Sequence, residues 1–286
     1  MTHTLEKYFV PEPSKFPILG SLALLLFAFG AVLWLNKVSA GPIMLFLGVA
    51  LFFFMLFGWF GQVIKESEAG LYSKQVNKSF RWSMGWFIFS EVMFFCAFFG
   101  ALFYVRIFAL PWLSTGENEA LLWQGFAAEW PVLATPYEYA MEAFTPVGAW
   151  GIPAFNTLLL LTSGVTLTWA HHGLIKNNRG QLEKGLLLTI ILGLIFLGFQ
   201  SYEYVHAYSD LNLRMDSGIF GSTFYMLTGF HGIHVTIGAV MLIVMYLRAR
   251  AGHFQPDNHF GFEAAAWYWH FVDVVWLILF VVVYWL

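Results

Sequence analysis

Seven long apolar segments constrain the fold of this chain more than any other feature of its sequence. About 20 apolar residues in a helix cross the hydrocarbon core of a bilayer, and a helix satisfies its backbone polar groups internally where water is absent. The segments therefore predict an all-α membrane protein with seven transmembrane helices. Their approximate bounds are Pro17 to Leu35, Ile43 to Ile64, Trp82 to Ala109, Pro153 to Ile175, Gly185 to Val205, Gly218 to Leu247 and Ala264 to Leu286.

The composition agrees with a membrane protein and excludes several other classes. Hydrophobic residues make up 59% of the chain and charged residues 11%, whereas soluble domains carry about 25% charged residues. The net charge of −3, without a run of lysine and arginine, argues against nucleic acid as a partner. The single cysteine, Cys96, excludes an intramolecular disulfide and a tetrathiolate metal site.

The distribution of basic residues predicts the orientation of the chain, because lysine and arginine favour the cytoplasmic side of a membrane. Eleven of the fourteen lie in the amino terminus or in the second-to-third, fourth-to-fifth and sixth-to-seventh connections, and the opposite connections hold only Lys37, Arg106 and Arg214. We expect the amino terminus on the cytoplasmic or matrix side and the carboxyl terminus on the other. The longest outer connection, at about 110–152, carries acidic residues and four prolines, which predict an irregular, partly ordered cap rather than a domain. Its acidic residues are Glu117, Glu119, Glu129, Glu138 and Glu142.

Five ionisable residues lie deep in the predicted spans, where a charge costs about 2.5–3.5 kcal/mol on insertion scales. Depth and helical spacing predict that they can meet in one polar layer, and three interpretations remain open. The layer is a hydrogen-bonded network with a neutral Glu91, a haem or copper site ligated by the three histidines, or a path for protons or substrate. The residues are Glu91, His231, His234, His270 and Asp273.

A second cluster is predicted at the cytoplasmic ends of helices two and six. Trp59 precedes Lys65 and Glu66 in helix two, and Arg248 ends helix six at the same level. Cations at this depth suit lipid phosphates and tryptophan suits the acyl boundary, so the cluster either binds phospholipid or is ordinary interfacial anchoring.

Two further groups have simpler interpretations. His171 and His172 are adjacent at the cytoplasmic end of helix four, so their side chains point in different directions and are expected to be interfacial polar residues. Glu203 and His206, three residues apart near the outer end of helix five, are expected to form a local hydrogen-bonded pair.

Several specific stretches resemble subunit III of the haem-copper cytochrome c oxidases. The resemblance extends from about residue 43 to the end, with a looser first helix. The matching stretches are FSEV at 89–92, LTWAHH at 167–172, GSTF at 221–224, TGFHGIHV at 228–235 and, above all, HFGFEAAAWYWHFVDVVW at 259–276.

The resemblance implies a division of the chain and an assignment of site residues. It implies that residues 1–64 hold a two-helix arm, that residues 65–286 hold a five-helix bundle, and that phospholipid fills the cleft between them. The family's carbodiimide-reactive buried carboxylate falls on Glu91, and its lipid-contacting residues fall on Trp59, Lys65, Glu66 and Arg248. The sequence departs from the family pattern at Phe60, Gly61 and Gln62 and again near Leu71 and Tyr72.

The resemblance also implies a function for the chain in a larger complex. Subunit III of the family is a non-redox subunit that supports proton uptake into subunit I and protects it from inactivation. Subunits I and II hold the haem and copper and oxidise cytochrome c in the bacterial plasma membrane or mitochondrial inner membrane. Alternatives are the equivalent subunit of a quinol oxidase or nitric oxide reductase, an autonomous membrane transporter, and a stand-alone haem or copper enzyme. The lack of an internal repeat and of mid-helix proline pairs argues against a transporter.

Overall fold

A computed structural model describes residues 9–133 and 142–286, so Lys7 and Glu138 of the charge pattern lie outside the described residues. The described ranges form nine α-helices, and the only β-bridge within these ranges joins Gln255 and Asn258. The helices are α1 Phe16–Leu35, α2 Gly41–Glu68, α3 Lys74–Tyr104, α4 Leu110–Leu113, α5 Gly116–Leu121, α6 Ile152–Ile175, α7 Arg179–Ser209, α8 Gly218–Ala251 and α9 Phe260–Leu279. Two π-helical turns, Val105–Ala109 and Phe280–Trp285, follow α3 and α9.

Seven of these helical segments are long and apolar enough to cross a membrane, which confirms the predicted all-α class and the number of spans. Several helices extend beyond the apolar segments that predicted them. For example, α7 begins at Arg179 and α8 continues to Ala251, although the apolar segments covered 185–205 and 218–247. Polar residues at the ends continue the helical backbone because an exposed helix terminus tolerates them as well as a loop does.

The chain divides into two compact units, residues 1–81 and 82–286. The division at 64 and 65 that the family resemblance implies stays a prediction. In the first unit α1 and α2 pack along their length through small residues. A Cβ atom added at Gly48 would lie 2.5 Å from the backbone nitrogen of Phe27, and one at Gly30 would overlap the backbone of Leu45. These glycines therefore allow the two helix backbones to approach closely, as in other membrane helix pairs.

The second unit packs α6 against α7, α7 against α8, and α9 against both α6 and α8. Trp269 of α9 lies fully buried among these helices and donates a hydrogen bond of 2.9 Å to Ser163 Oγ of α6. Gly193 of α7 and Gly238 of α8 leave space for its ring, since an added Cβ would lie 2.6 Å and 2.8 Å from it. The bundle is thus built around one tryptophan that contacts three neighbouring helices.

The described part of the connection between α3 and α6 is partly ordered, as the sequence predicts. The short helices α4 and α5 follow α3, and Leu110, Phe126 and Val132 form a small buried cluster. Arg106 lies against the Trp130 ring and donates hydrogen bonds to carbonyl oxygens at the end of the chain, 3.0 Å away in the case of Leu286. A basic side chain therefore stabilises the final helical turn at its carboxyl end, as expected for a cation near exposed carbonyl groups.

Candidate functional site

Glu91 of α3 and His234 of α8 form a hydrogen-bonded pair inside the second unit. His234 Nε2 lies 2.9 Å from Glu91 Oε2, and its Nδ1 lies 2.7 Å from the carbonyl oxygen of Phe230. A carbonyl can only accept, so Nδ1 carries a proton and one further proton lies between Nε2 and the carboxyl group. Rings of Phe95 and Tyr268 pack against the imidazole. The pair can therefore hold one proton between its two side chains, next to aromatic rings.

His270 and Asp273 of α9 form a second pair on another face of the bundle. Asp273 Oδ2 lies 3.5 Å from His270 Nδ1, and His270 Nε2 lies 3.4 Å from the hydroxyl oxygen of Thr168 in α6. The Asp273 carboxyl is buried against Gly164, where an added Cβ would lie 2.5 Å from Oδ2. Its other oxygen, Oδ1, has no hydrogen-bond partner among the residues that the structure describes.

His231 of α8 lies apart from both pairs. It is fully buried against the rings of Trp276 and Phe196, and both ring nitrogens lack a hydrogen-bond partner within the described ranges. The structure thus places the five predicted residues as two pairs and a separate histidine, and it does not join them in one hydrogen-bonded layer. The reason is local: His234 points to α3, whereas His231 points to aromatic rings of α7 and α9.

One group in the described part of the chain brings three potential metal ligands together. His171 Nε2 and Glu263 Oε1 each lie 3.3 Å from His259 Nε2, and the three ligand atoms lie within 4.8 Å of one another. His259 Nδ1 donates to the carbonyl oxygen of Gln255, which leaves Nε2 as an acceptor. Two imidazoles and a carboxylate could hold a divalent ion such as Zn²⁺.

Sequence reasoning did not identify this group as a candidate site. It treated His171 as an interfacial residue and did not consider His259, which precedes the first residue of α9. The spacing of His259 and Glu263, four residues apart at the start of an amphipathic segment, is the signal that could have found half of the group. The contribution of His171 from a different helix could not be read from that spacing.

The predicted hydrogen bond between Glu203 and His206 is wrong, because each residue has a different partner. Glu203 Oε1 accepts hydrogen bonds of 2.6 Å from the Tyr284 hydroxyl and 3.2 Å from Gln200 Nε2. His206 instead lies 2.6 Å from Asp210 Oδ2, and this hydrogen bond lowers the pKa of the Asp210 carboxyl. The prediction was wrong because Glu203 faces the bundle interior, where Tyr284 of the last turn meets it, whereas His206 faces outward.

Three of the four predicted lipid contacts belong to the first unit. Trp59 is half exposed and stacks on Phe60, and Lys65 is exposed in the last turn of α2. Glu66 accepts hydrogen bonds of 2.8 Å from Gln62 Nε2 and from the Tyr72 hydroxyl. Burial and the bond to Glu66 raise the pKa of that hydroxyl, so it remains a donor. Both partners of Glu66 are residues at which the sequence departs from the family pattern.

The fourth predicted lipid contact, Arg248, lies near the end of α8 in the second unit. Its guanidinium carbon lies 4.7 Å from the centre of the Phe254 ring, within cation–π distance.

The chain is a multi-pass helical membrane protein. Ionisable and polar residues within its apolar spans bond to each other and so connect neighbouring helices. The family described as cytochrome c oxidase subunit III matches residues 6–286. Cytochrome c oxidase subunit 3 of Marchantia polymorpha is 42% identical over 275 residues, covering 96% of this chain and 94% of the relative. The proteins of that name from Rattus norvegicus and Homo sapiens are 41% and 40% identical, each covering 100% of this chain and 99% of the relative. The chain belongs to the cytochrome c oxidase subunit III family, which confirms the resemblance.

Proposed function

We propose that this chain is the non-redox subunit III of a proton-pumping cytochrome c oxidase. It stabilises the catalytic subunit I, binds phospholipid and supports proton uptake during oxygen reduction. Subunits I and II supply the haem and copper and accept electrons from cytochrome c. The observation that carries this proposal is the family match over residues 6–286, which extends through every membrane span.

The geometry of the histidines supports a non-redox role. A haem or copper site would need His231, His234 and His270 to direct ring nitrogens to one point. Instead His234 bonds Glu91, His270 lies beside Asp273, and His231 is enclosed by aromatic rings. Hydrogen bonds between such buried groups orient helices and add to the stability of a membrane bundle.

Phospholipid binding is supported by the chemistry at the end of α2. Lys65 is exposed in α2, six residues after Trp59, and a cation with an interfacial ring suits a phosphate headgroup above an acyl chain. The hydrogen bonds from Gln62 and Tyr72 to Glu66 occupy the carboxylate, so its repulsion of a phosphate is reduced. Arg248, in the second unit, is proposed as a lipid contact from the family resemblance alone.

Orientation and location follow from the charge distribution and from the family. We propose that the amino terminus lies in the cytoplasm or matrix and the carboxyl terminus on the opposite side. The membrane is then the bacterial plasma membrane or the mitochondrial inner membrane.

Affinity purification through a tag on this chain tests the proposed function. The expected result is co-purification with subunits that carry haem and copper and oxidise cytochrome c. The separated chain should then show no haem absorption and no stoichiometric copper. Recovery of the chain alone, or with redox metal of its own, would contradict the proposal.

A further inference from the structure

Three potential metal ligands meet at one end of the second unit, where α6 ends and α9 begins. His171 lies near the end of α6, His259 directly precedes α9, and Glu263 lies in the first turn of α9. This end carries the connections from α6 to α7 and from α8 to α9, which the charge distribution assigns to the cytoplasm or matrix. An ion in water can therefore reach the group without crossing the membrane.

The turn before α9 fixes the orientation of the His259 ring. Gln255 and Asn258 exchange two backbone hydrogen bonds, and the Gln255 carbonyl oxygen also lies 3.0 Å from His259 Nδ1. A carbonyl only accepts, so Nδ1 carries the proton and Nε2 presents a lone pair. A histidine that ligates a metal is commonly held in this way, through a bond from its other nitrogen to a backbone carbonyl.

The lone pair of His259 faces a second acceptor. Glu263 Oε1 lies 3.3 Å from His259 Nε2, and the spacing of four residues places both side chains on one face of the chain. An ionised carboxylate offers only lone pairs. Two acceptor atoms at this distance need a proton or a metal ion between them, because their lone pairs otherwise repel each other.

His171 adds a third ligand from a different helix. Its Nε2 lies 3.3 Å from His259 Nε2, and its ring centre lies 5.2 Å from that of the buried Phe262. The side chains of His259 and Glu263 are only 8% and 16% exposed. Exclusion of water strengthens the attraction between a carboxylate and a cation, so the group is better suited to an ion than the same residues on an open surface.

The separations within the group suit a tetrahedral zinc ion. Zinc bonds imidazole nitrogen at about 2.0–2.1 Å and carboxylate oxygen at about 2.0–2.2 Å, so neighbouring ligand atoms lie about 3.3–3.5 Å apart. Two separations here are 3.3 Å, and all three ligand atoms lie within 4.8 Å of one another. The terminal torsion of a glutamate is broad and permits the remaining adjustment. Imidazole suits zinc, whereas magnesium and calcium prefer ligands that are all oxygen.

We propose that His171, His259 and Glu263 bind one zinc ion, with water as the fourth ligand, and that the ion fastens the start of α9 to the end of α6. To ligate through Nε2, His171 carries its own proton on Nδ1. Zinc has no redox chemistry, so the site is compatible with a non-redox subunit. The inference does not depend on the proposed function, because all three ligands belong to this chain.

Zinc binding to variants of the full chain tests the site. The chain is purified through its tag with whatever subunits accompany it, stripped with a chelator, and dialysed against buffered zinc in the presence of excess magnesium. His171→Gln, His259→Gln and Glu263→Gln should each bind one zinc ion per chain at least about 10- to 100-fold more weakly than the wild type, since loss of an outer-shell partner alone has that effect. The control His172→Gln, at the exposed neighbouring position, should bind as the wild type does. Equal zinc binding by the wild type and the three ligand variants would overturn the inference.

Chemical labelling of the wild type tests the same site without a substitution, and it decides the question if a variant does not fold. Diethyl pyrocarbonate acylates imidazole nitrogens that are not bound to a metal, and fragment-ion mass spectrometry separates His171 from His172. Zinc should suppress labelling of His171 and leave His172 reactive, and magnesium should suppress neither. Labelling of His171 that zinc leaves unchanged would refute the site. Co-purification of other subunits is scored separately, so a failure of the proposed function is distinguishable from a failure of the zinc site.

Discussion

Replacement of Glu91 offers the sharpest test of the paired polar groups. Glu91→Gln keeps the side-chain shape and can donate from its amide to His234 Nε2, which lies 2.9 Å from Glu91 Oε2 in the native pair. Glu91→Ala removes the partner and leaves the imidazole nitrogen unsatisfied. The Glu91 side chain is 23% exposed and that of His234 is 11% exposed, so water replaces the lost bond poorly.

The expected size of the effect follows from this geometry. An unsatisfied buried group costs about 1–3 kcal/mol, although hydrogen bonds within membrane bundles average nearer 0.6 kcal/mol. We therefore expect Glu91→Ala to lower the free energy of unfolding by about 1–3 kcal/mol, with the cavity adding to the lost bond. Glu91→Gln should change it by less than about 1 kcal/mol and leave assembly and initial oxygen reduction nearly intact.

The assay is thermal unfolding of the purified complex, combined with initial rates of oxygen consumption. A double-mutant cycle with His234→Phe isolates the pair, because the cost of Glu91→Ala should fall when the imidazole is absent. Infrared difference spectra of wild type against Glu91→Gln then show whether the shared proton lies on the carboxyl group or on the imidazole. Immediate loss of oxygen reduction by Glu91→Gln in a fully assembled complex would show that Glu91 is a required proton carrier.

Three further predictions concern packing, orientation and lipid. Gly193→Ala should destabilise the complex to heat by about 1–3 kcal/mol, because its Cβ would lie 2.6 Å from the Trp269 ring. The control Gly198→Ala lies on the same helix, and its Cβ would meet nothing within 4 Å. A cysteine at Asn118 in a Cys96→Ser background should react with an impermeant reagent from the outer face, and one at Lys78 from the cytoplasmic face; the reverse labelling would refute the orientation. Lys65→Gln should reduce the phospholipid that co-purifies with the complex, measured by mass spectrometry, while Lys37→Gln on the opposite side should not; equal lipid content in both variants would remove Lys65 from the site.

Sequence reasoning found the spans and one of the polar pairs for physical reasons. A transmembrane helix needs a continuous apolar segment, so its presence is visible in local sequence, as in 218–247 within α8. Depth along a helix is also local, and it correctly indicated that Glu91 and His234 could reach each other. Local sequence therefore carries the position of a residue along its own helix.

Local sequence does not determine which neighbouring helix a side chain faces, and this orientation determines the remaining contacts. His231 and His234 share one helix, yet one contacts Trp276 and the other Glu91 because different neighbours surround them. Glu203 binds Tyr284, which lies 81 residues away in the chain. Such contacts depend on the rotation of packed helices, which spacing within one helix cannot supply.

Oxygen consumption by the complex with and without this chain tests the proposed role most directly. The chain is removed by mild detergent, and turnover is followed from the first seconds through many cycles, with the purified chain added back as the control. The proposed role predicts a nearly normal initial rate that then decays, slower proton uptake, and recovery of durability when the chain returns. An activity that is abolished from the first turnover, or one that is equally durable without the chain, would contradict it.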